Sequence, residues 1–208
     1  MDLLRKIDIH AHPARTRGLP GPNGETFPTA RELLDMYDAI GIEAGVMLPY
    51  INVECAYDTV TNREIAEMAA AHSGRLHWFC NIDPRQGGNA PVDVWNGYPK
   101  GRVAAGGRVV ELMRRYGNLC GDLSAGSGYN ALSRDPEFTC DFIEEFQDRL
   151  FYGTDFTRLS AVHGPAEKLA AFLDEAVLTG RISRAAYEKV CRGNALRLIQ
   201  AARRFAAS

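Results

Sequence analysis

The stretch KIDIHAHP, residues 6–13, alternates polar and apolar side chains as far as His10. This period of two is typical of a β-strand. Residues two apart in a strand point the same way, so His10 and His12 are expected to project side by side where Pro13 ends the pairing. Two neighbouring imidazoles make half of a metal site. The alternative is that two polar residues simply close a strand.

Four further apolar runs have the length of strands, and each is followed by a polar or glycine-rich loop and then a helix. They are AGVMLPY (44–50), LHWFCNID (76–83), NLCGDLS (118–124) and RLFYGTD (149–155). This alternation predicts an α/β fold with a parallel sheet that is either covered by helices on both faces or wrapped as a barrel. Sites assemble at the carboxyl ends of such strands. The polar residues found there are His10, His12, Asp83, Asp122 and Asp155.

Helix starts are well marked. Thr29 with Glu32, and Thr61 with Glu64, have the spacing of capping boxes, and Asp135-Pro136 supplies a cap and a first-turn proline. Two or three further helices are expected in residues 164–206. Residues 84–105 contain no convincing helix or strand, so we expect an irregular excursion within a single domain spanning residues 1–208.

Composition excludes several function classes. The hydrophobic content of 46% suits a globular protein, and a net charge of −2 gives no reason to expect a nucleic acid or a membrane surface as partner. The five cysteines include no CxxC pair, so neither a zinc knuckle nor a disulfide framework is indicated. Cys80 and Cys120 lie in apolar runs and are expected to be buried. With neither a signal peptide nor an apolar span in view, a reducing cytoplasm is expected.

The segment YGTDF, residues 152–156, carries the second strong signal. Asp155 follows the last apolar strand, and the last strand of a closed barrel neighbours the first, so its carboxylate is within reach of a metal held by His10 and His12. Three such ligands with open positions are typical of a catalytic site. The metal would activate water and Asp155 would move its proton. Taken alone, Asp155 is better interpreted as a helix cap or turn residue, and the histidine pair favours the metal site.

The glycine-rich GDLSAGSG, residues 121–128, lacks the lysine and spacing of a phosphate-binding loop. We expect it to form a loop over the site, with Asp122 and Ser124 pointing inward.

Three segments together resemble the amidohydrolase superfamily: IDIHAHP (7–13), LFYGTDF (150–156) and CRGNALRLI (191–199). The pattern is most similar to the amidohydrolase-related branch that includes aminocarboxymuconate-semialdehyde decarboxylase. The resemblance implies a (β/α)₈ barrel that binds zinc or another divalent metal at the carboxyl ends of its strands. His10, His12 and Asp155 match the ligands from the first and last strands.

The resemblance also has a gap. Members of the superfamily carry further metal ligands on the middle strands, and no histidine of this chain ends a predicted strand there. The chain therefore resembles an incomplete barrel without its middle strands, in the spatial order third, second, first, last and next-to-last. Its two exposed edges predict a homo-oligomer.

The function expected from this resemblance is metal-dependent hydrolysis of a small-molecule carboxylic or amide substrate. Two alternatives remain open: non-oxidative decarboxylation by the same type of site, and a non-catalytic remnant that serves as an interaction module.

Overall fold

The secondary structure alternates strands and helices along the chain. The computed structural model describes residues 3–21, 24–50, 60–79, 101–103 and 107–206. Within these ranges the strands are β1 (Lys6–Ala11), β2 (Ile42–Met47), β3 (Leu76–Trp78), β4 (Gly121–Asp122) and β5 (Leu150–Phe151). The helices are α1 (Ala30–Ala39), α2 (Asn62–Ala71), α3 (Gly107–Arg115), α4 (Ala125–Ser133), α5 (Pro136–Phe146), α6 (Pro165–Leu178), α7 (Arg184–Glu188) and α8 (Asn194–Ala206). A 3₁₀ turn covers Leu159–His163, and a π-helical turn covers Lys189–Gly193.

The strands are parallel and form two short sheets, β1-β2-β3 and β4-β5. Backbone hydrogen bonds join the sheets where the chain leaves β5. Ile9 N donates to Tyr152 O at 3.0 Å, and His12 N donates to Phe156 O at 2.9 Å. The segment after β5 therefore runs beside β1, which gives the spatial order β3-β2-β1-β5-β4. This is the order expected from the sequence, with each strand shorter than its apolar run.

Helices cover both faces of β1. Ile7 and Ile9 pack with Val46 of β2 and with Ala195 and Ile199 of α8. Asp8 alternates with these residues along the strand and contacts Tyr37 of α1. The larger apolar cluster joins α1, α2, α5, α6 and α7 to the strands. The predicted α/β class, a parallel sheet with flanking helices, is confirmed.

The predicted caps are confirmed as well. Thr29 and Thr61 each accept from the amide of the glutamate three residues later, and each glutamate bonds back to the cap backbone. Asp135 caps α5 by accepting from Phe138 N at 3.4 Å. These bonds satisfy amides that the first helical turn leaves free.

Two expectations were wrong. Cys120 is exposed instead of buried, because β4 begins only at Gly121 and the preceding residues lie outside the sheet. The run that begins at Ala125 is helix α4 instead of a loop. The small residues of AGSG hide the helical pattern, because they carry almost no apolar periodicity.

Part of the expected irregular segment, residues 84–100 together with 104 and 105, lies outside the described residues, as do Cys80 and Asp83. Residues 101–103 contain no helix or strand, and Val103 N donates to Asp135 Oδ2 at 2.9 Å. Among the helices of the described ranges, none is long and apolar enough to cross a membrane.

Candidate metal centre

The structure brings His10, His12 and Asp155 together at the carboxyl ends of β1 and β5. The two Nε2 atoms of the histidines are 2.9 Å apart. Asp155 Oδ1 lies 3.5 Å from Nε2 of His10 and 3.6 Å from Nε2 of His12. Among the described residues, these three side chains form a group whose ligand atoms lie close enough together to hold one metal ion.

The separations match those of ligands around a single small cation. Zinc is bound at about 2.0–2.1 Å by nitrogen and oxygen, so tetrahedral ligand atoms lie roughly 3.3 Å from one another. The three measured separations, between 2.9 and 3.6 Å, lie on either side of that value. The residues present therefore fit a divalent cation.

Hydrogen bonds fix the tautomers of both rings. Nδ1 of His12 lies 3.1 Å from the carbonyl oxygen of Leu48, which can only accept, so this nitrogen carries the hydrogen. Nδ1 of His10 lies 2.6 Å from Asp122 Oδ2 and donates in the same way. In the neutral rings both Nε2 atoms therefore carry lone pairs at a separation of 2.9 Å, an arrangement that a cation bound to both would stabilise. Partners of this kind on the second ring nitrogen are typical of metal-binding histidines.

Asp122 and Ser124 point inward, as expected. Asp122 Oδ1 accepts from Ser124 N at 2.9 Å, and Asp122 Oδ2 accepts from Ser124 Oγ at 3.1 Å. Ser124 Oγ also lies 3.3 Å from Nδ1 of His10. The end of β4 and the start of α4 therefore support the outer side of the His10 ring.

The two histidines differ in their proton affinity. Burial, aided by the neighbouring His10 ring, lowers the pKa of His12 to about 4. Burial also acts to lower the pKa of His10, but the hydrogen bond and charge of Asp122, with the charges of Asp155 and Asp8, outweigh it and raise that pKa. Burial raises the pKa of the Asp155 carboxyl, which the His10 ring partly offsets. At neutral pH, His12 is therefore a neutral ligand.

A cavity of about 210 Å³ opens beside Asp155 and is lined in part by Thr154, Thr157 and Arg158. Two of its lining residues, Ala125 and Asp155, have left-handed backbones with φ of 66° and 58°. Non-glycine residues in this conformation are strained and concentrate at functional sites. The cavity is therefore the candidate space for a ligand.

Asp8 is a further residue beside the site, and it was not predicted from the sequence. Burial raises the pKa of its carboxyl to about 6, against hydrogen bonds from Thr154, His10 and Tyr37 that act to lower it. The available signal was a charged side chain in the middle of a buried strand, two residues before His10. The contact between Leu48 O and the His12 ring could not be predicted from the sequence, because every residue has a backbone carbonyl. His72 caps the end of α2 and His163 lies in the 3₁₀ turn, so neither joins the site.

A family model described as Amidohydrolase matches residues 97–200, half of the 208-residue chain. The chain belongs to the amidohydrolase family. The matched part of the chain includes Asp122, Ser124 and Asp155, whereas His10 and His12 precede it. The geometry, and not the match, places these two histidines beside Asp155.

No curated protein and no solved structure matches this chain.

Proposed function

We propose that this amidohydrolase holds one divalent metal ion, zinc by preference, through His10, His12 and Asp155. The observation that carries the proposal is the convergence of two Nε2 lone pairs and one carboxylate oxygen within 3.6 Å of one another. Two imidazoles and a carboxylate are ligands that suit zinc, and three protein ligands leave a position open for substrate.

The reaction that we propose is hydrolysis of an amide or ester-like bond in a small carboxylic or amide substrate. A metal ion bound there supplies Lewis-acid chemistry at neutral pH. Asp155 would accept and return a proton through its carboxylate, whose Oδ1 lies within 3.6 Å of Nε2 of both histidines. The cavity of about 210 Å³ beside Asp155 is smaller than the roughly 300–1,000 Å³ of drug-sized pockets, which supports a small substrate.

We further propose that the fold derives from a (β/α)₈ barrel without its middle strands, in the branch of aminocarboxymuconate-semialdehyde decarboxylase. The adjacency of β1 and the segment after β5 supports a barrel origin, because first and last strands are neighbours in a closed barrel.

A non-catalytic remnant is the second candidate function, favoured by the number of ligands. The group found in the described part of the chain has two histidines and one carboxylate, with no histidine from another strand. Fewer ligands would weaken metal binding, and hydrolysis would then be lost while the fold is retained.

Metal analysis separates these functions. The protein is loaded with zinc, dialysed and analysed for metal, beside a His10→Ala/His12→Ala variant and a His72→Ala/His163→Ala control that removes two histidines outside the site. We expect about one zinc per chain in the wild type and the control, and almost none in the His10→Ala/His12→Ala variant. Equal retention in all three refutes the metal site. Loss of zinc from the folded wild type on dialysis, or zinc retention without turnover of a panel of small amides, esters and carboxylic acids, favours the remnant.

A further inference from the structure

Asp8 lies between the two chain segments that carry the candidate ligands. Its side chain is completely buried. Oδ1 accepts from His10 N at 2.8 Å and from Thr154 N at 2.9 Å. Oδ2 accepts from Tyr37 Oη at 2.7 Å and from Thr154 Oγ1 at 2.6 Å.

All four groups that face this carboxylate are donors, and a carboxylate is the side chain that accepts at both ends. The donors come from β1, from α1 and from the segment after β5. One buried side chain therefore joins three parts of the chain. An asparagine of the same shape would keep one oxygen but would turn an NH₂ group toward two of the donors, which leaves buried polar groups unpaired.

Thr154 links the Asp8 carboxylate to the backbone of the next residue, Asp155. Its amide and hydroxyl both donate to Asp8, and its Oγ1 in turn accepts from Phe156 N at 3.2 Å. Asp155 N donates to His10 O at 2.7 Å. The left-handed backbone of Asp155 is therefore held on both sides by bonds that depend on the position of Thr154 relative to β1. A strained conformation persists only where its surroundings determine it in this way.

We propose that Asp8 is a positioning residue for metal binding, which sets the distance of the Asp155 carboxylate from the His10 and His12 rings. This inference rests on the proposed function. Metal sites require their ligands to be held within about 0.5 Å of the productive geometry, and loss of a supporting partner costs about 10–100-fold in metal affinity. Asp8 would thus act on the metal through His10 and Thr154 without touching it.

The chain offers a matched control for each variant. Asp174 is another carboxylate with buried partners: it pairs with Lys6 Nζ at 2.5 Å and accepts from Tyr187 Oη at 2.7 Å, at the opposite end of β1. Thr139 is another buried threonine, whose Oγ1 donates to Leu132 O at 2.7 Å. Asp8→Asn is therefore compared with Asp174→Asn, and Thr154→Val with Thr139→Val.

The experiment measures zinc dissociation constants by competition with a chromogenic chelator, the visible absorption of the Co²⁺-loaded proteins, and the thermal midpoints without metal. We expect zinc binding about 10–100-fold weaker in Asp8→Asn and several-fold weaker in Thr154→Val, with altered Co²⁺ spectra. Asp174→Asn and Thr139→Val should lose stability and keep the wild-type affinity and spectrum. If Asp8→Asn does not fold, the zinc affinity and Co²⁺ spectrum of Thr154→Val test the inference instead.

A merely structural Asp8 predicts the reverse: lower thermal midpoints with zinc affinity within about threefold of wild type and an unchanged Co²⁺ spectrum. That result overturns the inference and leaves the proposed function intact. The proposed function fails if the wild type binds zinc no better than the His10→Ala/His12→Ala variant. In that case the inference about Asp8 fails as well.

Discussion

The protonation of His10 depends on carboxylates on both sides of its ring. Asp122 accepts from Nδ1, and Asp155 lies near Nε2. Because the pKa of His10 is raised in the folded chain, the folded state binds this proton more tightly than the unfolded state does. The resulting stabilisation is fully present below the ordinary pKa of 6.5 and is lost as the pH rises through the folded value.

We therefore expect Asp122→Asn to destabilise the metal-free protein more at pH 5.5 than at pH 8.5. At the lower pH we expect the variant to lose about 1 kcal/mol of unfolding free energy relative to the wild type, because Asp122 accepts a hydrogen bond from a charged ring and is partly exposed. Urea unfolding at both pH values gives the free energies. Glu145→Gln is the control, since its partner Arg114 stays charged throughout. A destabilisation that is constant or grows with pH would contradict the assignment.

At the scale of elements, Gly153 sets how closely the segment after β5 approaches the end of β4. A Cβ atom at this position would lie 2.8 Å from Asp122 Oδ1 and 2.9 Å from Ser124 Cβ. Such contacts are closer than packed atoms allow, so one of the two segments must move.

Gly153→Ala is accordingly expected to lower the free energy of unfolding by about 1–3 kcal/mol and to weaken zinc binding, because the displaced Asp122 no longer holds His10. Gly74→Ala is the control, because a Cβ there meets nothing within 4 Å. Chemical denaturation and zinc titration of both variants test the point. If the two variants behave alike, the close packing at Gly153 does not matter.

The elements that the sequence predicted well are those decided by local chemistry. Thr29 and Glu32 lie one helical turn apart, so their capping box follows from spacing alone. His10 and His12 follow from the period of a strand, and Asp155 from the rule that parallel strands present their carboxyl ends together. The role of Asp8 was not predictable, because its partners Tyr37 and Thr154 are brought to it by packing over long sequence separations. The start of α4 was missed because its small residues carry almost no apolar periodicity, and no sequence pattern marks the left-handed backbone of Ala125.

At the scale of the whole molecule, the part of the sheet that the structure describes has two outer strands, β3 and β4. Within the ranges that the structure describes, β3 pairs with β2 alone and β4 with β5 alone. Outer strands present unpaired backbone groups, which pair readily with another chain. Trp78 of β3 is partly exposed at one of these edges.

From these edges we predict that the chain self-associates. Sedimentation velocity at micromolar concentration should show a dimer or a larger species for the wild type. A lysine at the edge opposes strand pairing, so Trp78→Lys should shift the distribution toward monomer. Tyr116→Lys, which changes an exposed aromatic outside the strands, should leave it unchanged. A monodisperse wild-type monomer would rule out this assembly.

The pairing of β1 with the segment after β5 also has a consequence for biosynthesis. His12 is made 144 residues before its backbone partner Phe156. At about 5–20 residues per second, translation separates the two by roughly 7–30 s. During that interval β1 lacks its partner on the side of β5, and the two histidines lack Asp155. A nascent chain that stalls in this interval would expose the unpaired edge of β1, and metal binding by all three ligands would begin only after Asp155 has been made.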